Sequence, residues 1–235
     1  MNESAFFRFP HTPHLAWLGA GNPRDDKVLS PAEAAEFLSH EVVVEEKLDG
    51  ANMGISVSPE GEVRVQNRGQ YLAHHHAGQF KKLNAWLAIR QEALFDALGE
   101  ELILFGEWCA ARHSLDYETL PDWFLVFDVY DRKAKGFWST IRRNRLAKGL
   151  DLPVVPRLAR GIFSLPALKE ILSSRSSAFR LGSLEGIVMR REAGEGLESR
   201  AKLVRPDFTQ AIGEHWQRRA IEWNRLSLAG RGGTI

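Results

Sequence analysis

A single cysteine, Cys109, occurs in 235 residues. One thiol can form neither an intramolecular disulfide nor a cysteine-based zinc site, and such scarcity fits a reducing compartment. No stretch approaches the roughly 18 apolar residues needed to cross a bilayer. The start, MNESAFFRFPHTPHLAW, lacks the basic residues followed by an apolar run that mark a secretory signal. Together these absences predict a soluble, cytoplasmic protein. An excess of one charge is missing too: 31 Lys and Arg face 30 Asp and Glu, a net charge of +1, so overall charge does not bear on nucleic acid binding. Also absent are the Gly-x4-Gly-Lys-Ser/Thr phosphate loop, Gly-x-Gly-x-x-Gly, His-Glu-x-x-His and Cys-x-x-Cys. No internal repeat, low-complexity tract or Pro/Gly/Ser-rich linker divides the chain.

What is present is globular in character. Hydrophobic residues make up 44% and charged residues 26%, which excludes a disordered tail, a collagen-like fibre or a long coiled coil. A chain of this length can bury a core without metals or disulfides. The expectation is one domain over 1–235, with a flexible tail at 227–235. Charge is unevenly placed. Residues 1–60 carry four basic and ten acidic side chains, whereas residues 131–148 carry seven basic ones against Asp131. The second run either attracts polyphosphate or nucleic acid, or is simply a solvated helix face.

Ser30-Pro31-Ala32-Glu33 reads as a capping box that opens a short helix to about Ser39. Val42–Lys47 is β-branched and strand-like, and 55–58 with 63–67 form a hairpin around Pro59-Glu60-Gly61. Phe80, Leu83, Leu87 and Leu94 fit one helical face between Gln79 and Leu98. Residues 102–105 and 124–127 are apolar strands. Helices are expected at 141–148 and 165–172, then strands at 186–190 and 201–204 separated by a turn-rich 192–198. A helix is expected from Phe208 to about Leu226. Strands with interspersed helices, without regular βαβ alternation, predict α+β with largely antiparallel sheets flanked by helices.

Glu46-Lys47-Leu48-Asp49-Gly50, followed by Ala51-Asn52, places a lysine where an apolar strand enters a glycine turn. Its amine would sit at the rim of a sheet, where burial and a nearby cation can lower its pKa and make it a nucleophile. The alternative is a strand followed by a polar turn. Three further segments set charges at the margins of apolar strands: Glu107 in Leu104–Trp108, Glu185 in Leu184–Arg190 and Lys202 in Ala201–Arg205. Such charges are costly unless paired or bound. Two lysines and two glutamates could handle a nucleoside triphosphate, one lysine attacking the α-phosphorus, the other neutralising charge, and the carboxylates holding Mg2+ or a ribose hydroxyl. They could equally be structural salt bridges.

In order, EKLDGAN, FGEW, FLVFDVYD, EGIVMR and AKLVRPDF resemble motifs I, III, IIIa, IV and V of the covalent nucleotidyltransferase superfamily, which contains ATP-dependent RNA and DNA ligases and mRNA capping enzymes. The resemblance covers roughly residues 42–208, and FGEW with the short motif IIIa is most similar to the RNA ligase branch. It implies a ligase adenylation fold and ATP-dependent joining of 5′-phosphate and 3′-hydroxyl ends through a lysyl-AMP and an adenylated 5′ end, with Mg2+ or Mn2+. By position it makes Lys47 the lysine that carries AMP, flanked by Glu46 and Asp49, the latter a candidate metal ligand. It sets Asn52 near ribose and metal waters, Arg68 against nucleotide or acceptor phosphate, Glu107 on the ribose and Phe127 on adenine. Glu185 falls on the metal or its waters, and Lys202 on the α-phosphate.

Two departures accompany it. Motif V in RNA ligases is often Lys-x-Lys, but Val204 holds the second position. Arg205 faces the other side of the strand unless the strand bulges or ends there. Only 27 residues follow Phe208, so no C-terminal oligonucleotide-binding barrel is expected. Residues 1–30 and the basic run would then help hold ATP or nucleic acid. RNA is the implied partner, with DNA or an RNA/DNA nicked duplex as the other acceptors. The competing functions are a DNA or mixed nick-sealing ligase and an inactive nucleic-acid-binding module of the same fold. His74-His75-His76 reads as a polar loop, Cys109 as a buried small side chain, and the tryptophans as packing, with Trp138 able to stack on a base.

Overall fold

The computed structural model describes residues 6–20, 23, 27–73, 76–211 and 221–227. Two antiparallel sheets form its frame. The chain order is α1 (Pro31–Leu38), β1 (Val42–Lys47), β2 (Ala51–Val57), β3 (Val63–Gln66), a 3-10 turn (Gly78–Phe80), α2 (Leu83–Ala88), α3 (Gln91–Leu98), β4 (Leu102–Trp108) and β5 (Phe124–Asp131). It continues with β6 (Gly136–Phe137), α4 (Thr140–Gly149), β7 (Arg157–Gly161), α5 (Leu165–Ser174), β8 (Gly186–Ala193), β9 (Gly196–Val204) and α6 (Pro206–Ala211). The first sheet runs β7-β1-β8-β9 and the second β3-β2-β4-β5-β6.

Alternation of side chains across each strand assigns the faces. In the first sheet Val42, Val44, Ile187, Met189, Ala201 and Leu203 bury against α1 and α5. Their neighbours Glu45, Lys47, Val188, Arg190, Arg200 and Lys202 turn to the opposite face. In the second sheet Met53, Ile55, Leu104, Trp108, Phe124 and Val126 pack with α2 and α3. Asn52 and Glu107, paired across β2 and β4, take the other face. The chain passes from one sheet to the other only three residues after Lys47. Gly50 is required in that crossing, because a Cβ there would lie 2.6 Å from the Trp108 carbonyl oxygen. Residues 6–15 strap both sheets together. Phe7 stacks on Tyr130, Phe9 packs among Phe105, Phe127 and Phe137, and Leu15 and Pro13 bond the backbone of Lys202.

The α+β architecture with antiparallel sheets matches the sequence pattern, and α1 carries the full Ser30–Glu33 capping box. Several expectations need correction. The 79–98 helix is broken at Ile89-Arg90, where Arg90 leaves helical geometry as its guanidinium reaches Asp122 and the Trp86 carbonyl. Residues 192–193 and 196–198 belong to β8 and β9, which meet in a tight turn at 194–195 with Gly194 at φ 54°; they read as a loop because this end of the hairpin is half-exposed and charged. Strand β7 was missed because its RLARG sequence is polar and it lies at the sheet edge. The C-terminal helix is confined to α6 among the described residues, since 221–227 are extended and pair with 110–120. Residues 228–235, His74, His75 and Trp216 lie outside the described residues. No helix among the described residues is long and apolar enough to cross a membrane.

Candidate active site

A cavity of about 450 Å3 opens between the inner faces of the two sheets, within the range that holds small-molecule ligands. Lys47, Asn52, Arg68, Glu107, Phe127 and Lys202 all line it. Residues up to 155 positions apart in sequence therefore converge on one site. Glu185, at the entry to β8, joins them through a hydrogen bond from Lys47 Nζ to its Oε1 at 2.6 Å. Gly186 allows this approach: a Cβ on it would sit 2.5 Å from the Leu203 carbonyl and 3.4 Å from Lys47 Cδ.

Burial and charge set the protonation of this group. Burial pushes the carboxyls of Glu107 and Glu185 up to about 7, opposed by the Lys47 ammonium. Burial alone would drive Lys47 down, but Glu185, Glu107 and Asp49 outweigh it and hold the ammonium above its ordinary value. Lys47 is thus a protonated lysine kept in place by carboxylates. Glu107 Oε1 accepts the Gly50 N–H at 3.1 Å, which fixes the carboxylate beside the lysine turn. Arg68 projects from a loop pinned by Asn67, whose Oδ1 accepts the N–H groups of Gly69 and Gln70. Three buried atoms around the cavity, Arg68 Nε, Asn52 Oδ1 and Glu185 Oε2, have no hydrogen-bond partner among the described residues. Buried polar atoms are expensive to leave so, and their convergence fits a polar ligand.

Two expected site residues point elsewhere. Asp49 Oδ2 accepts the N–H groups of Ser114 and Leu115, both at 2.7 Å, so this carboxylate anchors a loop. Glu46 also lines the cavity, but its carboxylate turns away from Lys47, as strand alternation demands, and accepts Ser177 Oγ and the Ala178 N–H. Strand β9 ends at Val204, and Arg205 pairs with Asp207 rather than turning into the cavity.

Other cavity residues escaped sequence reasoning. Arg190 and Arg200 share the inner face with Lys202, and both bind Asp128. The Arg200 guanidinium lies between the rings of Phe9 and Phe137, 4.4 Å and 4.2 Å from their centroids. Phe127 occupies a β-bulge, the extra residue of β5 opposite Phe105 and Gly106, and such bulges re-aim a side chain. Its carbonyl accepts from both Arg143 and Arg190. Arg143 is fully buried and pairs with Glu45 at 2.6 Å. The basic run is therefore partly internal. Trp138 is buried too, and that burial closes its ring to a base. The clue was the spacing of Arg190 and Arg200 with Lys202 at even intervals along β8 and β9. Cys109 is buried, and burial pushes its thiol well up.

Known proteins add a frame to this geometry. No curated protein matches the sequence. Among solved structures the chain is similar to a variant of Naegleria gruberi RNA ligase with ATP and Mn, at 20% identity and a TM-score of 0.65, over 88% of this chain and 59% of that one. It is also similar to the Naegleria gruberi RNA ligase with PPi, at 19% identity and a TM-score of 0.61, over 90% and 65% of the two chains. A variant of that ligase with AMP and Mn gives 19%, 0.58, 90% and 66%. The chain thus spans about three-fifths to two-thirds of those proteins, and at this identity the likeness establishes the fold. The family model described as RNA ligase matches residues 40–204, which run from the residues just before β1 to the end of β9 and carry both inner faces of the cavity. The chain belongs to the RNA ligase family.

Proposed function

We propose that this chain is an ATP-dependent RNA ligase that works through a lysyl-AMP on Lys47. The observation that carries the reading is the placement of Lys47 Nζ, at the inner end of β1, within a cavity shared with Glu107, Phe127, Arg68 and Lys202 and 2.6 Å from Glu185. The similar Naegleria ligase has been solved with ATP and Mn, with AMP and Mn and with PPi, which are the substrate, fragment and product of such a first step.

In that step Lys47 Nζ, once neutral, attacks the α-phosphorus. An N–P bond forms, the α–β P–O bond breaks and pyrophosphate leaves. An oxygen of an RNA 5′-phosphate then attacks the same phosphorus, breaking the N–P bond and freeing Lys47. Finally a 3′-hydroxyl oxygen attacks the 5′-phosphate of the adenylated end, forming the phosphodiester and releasing AMP. Phe127 offers its ring face to adenine. Glu107, fixed by Gly50, and Asn52, with a buried acceptor to spare, suit ribose hydroxyls. Lys202 and Arg68 neutralise phosphate charge as it develops, so catalysis is largely positioning and electrostatics.

Among the described residues no three His, Cys, Asp or Glu side chains form a ready-made metal cage. A hard divalent cation would instead be held by Glu185, whose Oε2 is buried and unpartnered, together with substrate phosphates. Bound there, Mg2+ or Mn2+ supplies charge neutralisation at the phosphates and competes for the carboxylate that keeps Lys47 protonated. The single buried thiol supports a reducing, cytoplasmic setting, and RNA repair is the use that suits strand sealing.

Incubation with α-labelled ATP and Mg2+ or Mn2+ should label the chain covalently, with label lost in Lys47→Ala. α-Labelled GTP should give none. Chased with 5′-phosphorylated RNA, the label should move to the RNA end. Transfer only to a nicked DNA duplex would favour the DNA ligase reading, and absence of label from folded, AMP-free protein would overturn adenylyl transfer.

A further inference from the structure

A second groove, of about 730 Å3, lies between the 81–90 segment and the extended strip at 221–227. Its walls are aromatic and basic: Lys81, Lys82, Arg90, Trp123 and Trp223. The chain runs from one to the other: Gln79 and Phe80 line the cavity, and the next two residues, Lys81 and Lys82, line the groove.

The charge in this groove is not balanced from within. Its one carboxylate, Asp122, is already committed: Oδ2 takes Arg90 at 2.6 Å and Oδ1 takes the Trp86 indole N–H at 2.5 Å. Lys81 is exposed, and neither it nor Lys82 has a carboxylate partner among the described residues. The Lys82 ammonium sits 4.2 Å from the Trp123 ring and 5.0 Å from that of Trp223. Ile89, at 78% exposure, extends the apolar floor to solvent.

The aromatic wall is also rigid. Trp223 belongs to a strip held by backbone bonds from Asn224 to Ala110 and from Arg225 to Tyr117. The buried Asn224 side chain donates to the carbonyls of Cys109 and Ala111 and accepts the Tyr117 N–H. A preset indole face loses little freedom when a flat ring stacks on it. Fixed indoles interleaved with unneutralised lysines are the combination that holds a single strand, bases stacking and phosphates meeting ammonium groups.

We propose that this groove is a subsite for single-stranded nucleic acid, holding nucleotides of the strand that leaves the catalytic cavity over Gln79 and Phe80. It rests on the ligase reading only for the identity of that strand as RNA. A duplex suits it poorly, because paired bases cannot present their faces to Trp123 and Trp223.

The test is equilibrium binding of a fluorescent 12-nucleotide oligouridylate to the full chain without ATP, as a function of salt, with lysyl-AMP formation measured in parallel. Trp223→Ala should weaken binding by about 5- to 150-fold. Lys81→Ala, at an exposed position outside the fold's core, should lower the slope of log affinity against log salt by about 0.7 and leave lysyl-AMP formation unchanged. A 12-base-pair duplex should bind more weakly than the single strand. Unchanged affinity and salt slope in both variants would overturn the subsite, as would loss of lysyl-AMP formation in Lys81→Ala. Absence of lysyl-AMP in the unmodified chain, with oligouridylate binding still sensitive to Lys81 and Trp223, would sink the ligase reading and leave the groove standing.

Discussion

Lys47 Nζ and Glu185 Oε1 lie 2.6 Å apart although 138 residues separate them in sequence. The pair joins the end of β1 to the start of β8, and under the proposed function it lets one lysine be both anchored and reactive. With the carboxylate beside it, the ammonium is stable; with the carboxylate drawn to another cation, the proton is held less tightly. Glu185→Gln should therefore act on metal use more than on nucleotide binding. The Mn2+ concentration for half-maximal lysyl-AMP formation should rise by about 10- to 100-fold, the range seen when groups supporting a metal are removed, with the ATP KM at saturating Mn2+ changing far less. A metal titration of lysyl-AMP formation decides it, and an unaltered Mn2+ midpoint would remove Glu185 from the metal site.

Glu107 makes a different prediction, about pH and stability. Burial raises its carboxyl to about 7 in the folded chain against an ordinary value of 4.5. The folded state thus holds this proton more tightly than the unfolded one. That preference favours folding fully below about pH 4.5 and is lost as pH rises through 7. Glutamine keeps the neutral shape at every pH. Glu107→Gln should be more stable than the unmodified chain by on the order of 2 kcal/mol at pH 8 without ATP or metal. The difference should shrink to about a quarter by pH 5 and close below pH 4.5. Urea titrations at both values test this; a variant less stable at pH 8 would mean that the Gly50 N–H bond to the charged carboxylate outweighs burial.

Much of this arrangement could be read in advance, for identifiable reasons. Strands β1, β2, β4 and β8 each carry a short apolar or alternating run, and α1 announces itself through Ser30, Pro31 and Glu33. Lys47, Glu107, Glu185 and Lys202 stand out because charge at the margin of an apolar strand is costly without a purpose. What stayed hidden depends on tertiary partners. Asp49 looks like a site residue beside Lys47, yet its carboxylate caps the 114–115 loop. Arg143 looks like one more charge on a basic helix, yet it is buried against Glu45. No local pattern separates a solvated arginine from one whose carboxylate arrives from a strand 98 positions earlier. The bulge at Phe127 was equally silent, since an extra residue in a strand changes register without changing composition.

That bulge and the Glu45–Arg143 pair make the last prediction. Arg143 is joined to Glu45 by two hydrogen bonds, of 2.6 Å and 3.1 Å, and also donates to the Phe127 carbonyl at 2.8 Å. Removing the guanidinium leaves the buried Glu45 carboxylate with only Arg190, 3.9 Å away, and half-frees the bulge that aims Phe127 into the cavity. Arg143→Met should cost about 3–5 kcal/mol in stability, and adding Glu45→Gln should recover part of it, because the charge left poorly paired is then gone. The double variant, if folded, separates stability from aim. Arg190 still holds the Phe127 carbonyl from the other side at 3.2 Å, so the ring should remain in the cavity and the ATP KM should rise only a few-fold. Phe127→Ala removes the ring itself and should raise KM by about 5- to 150-fold, the worth of one base on an aromatic face. Urea denaturation and the ATP dependence of lysyl-AMP formation measure both quantities. If the double variant raises KM as much as Phe127→Ala, then Arg143, more than Arg190, holds the ring in place.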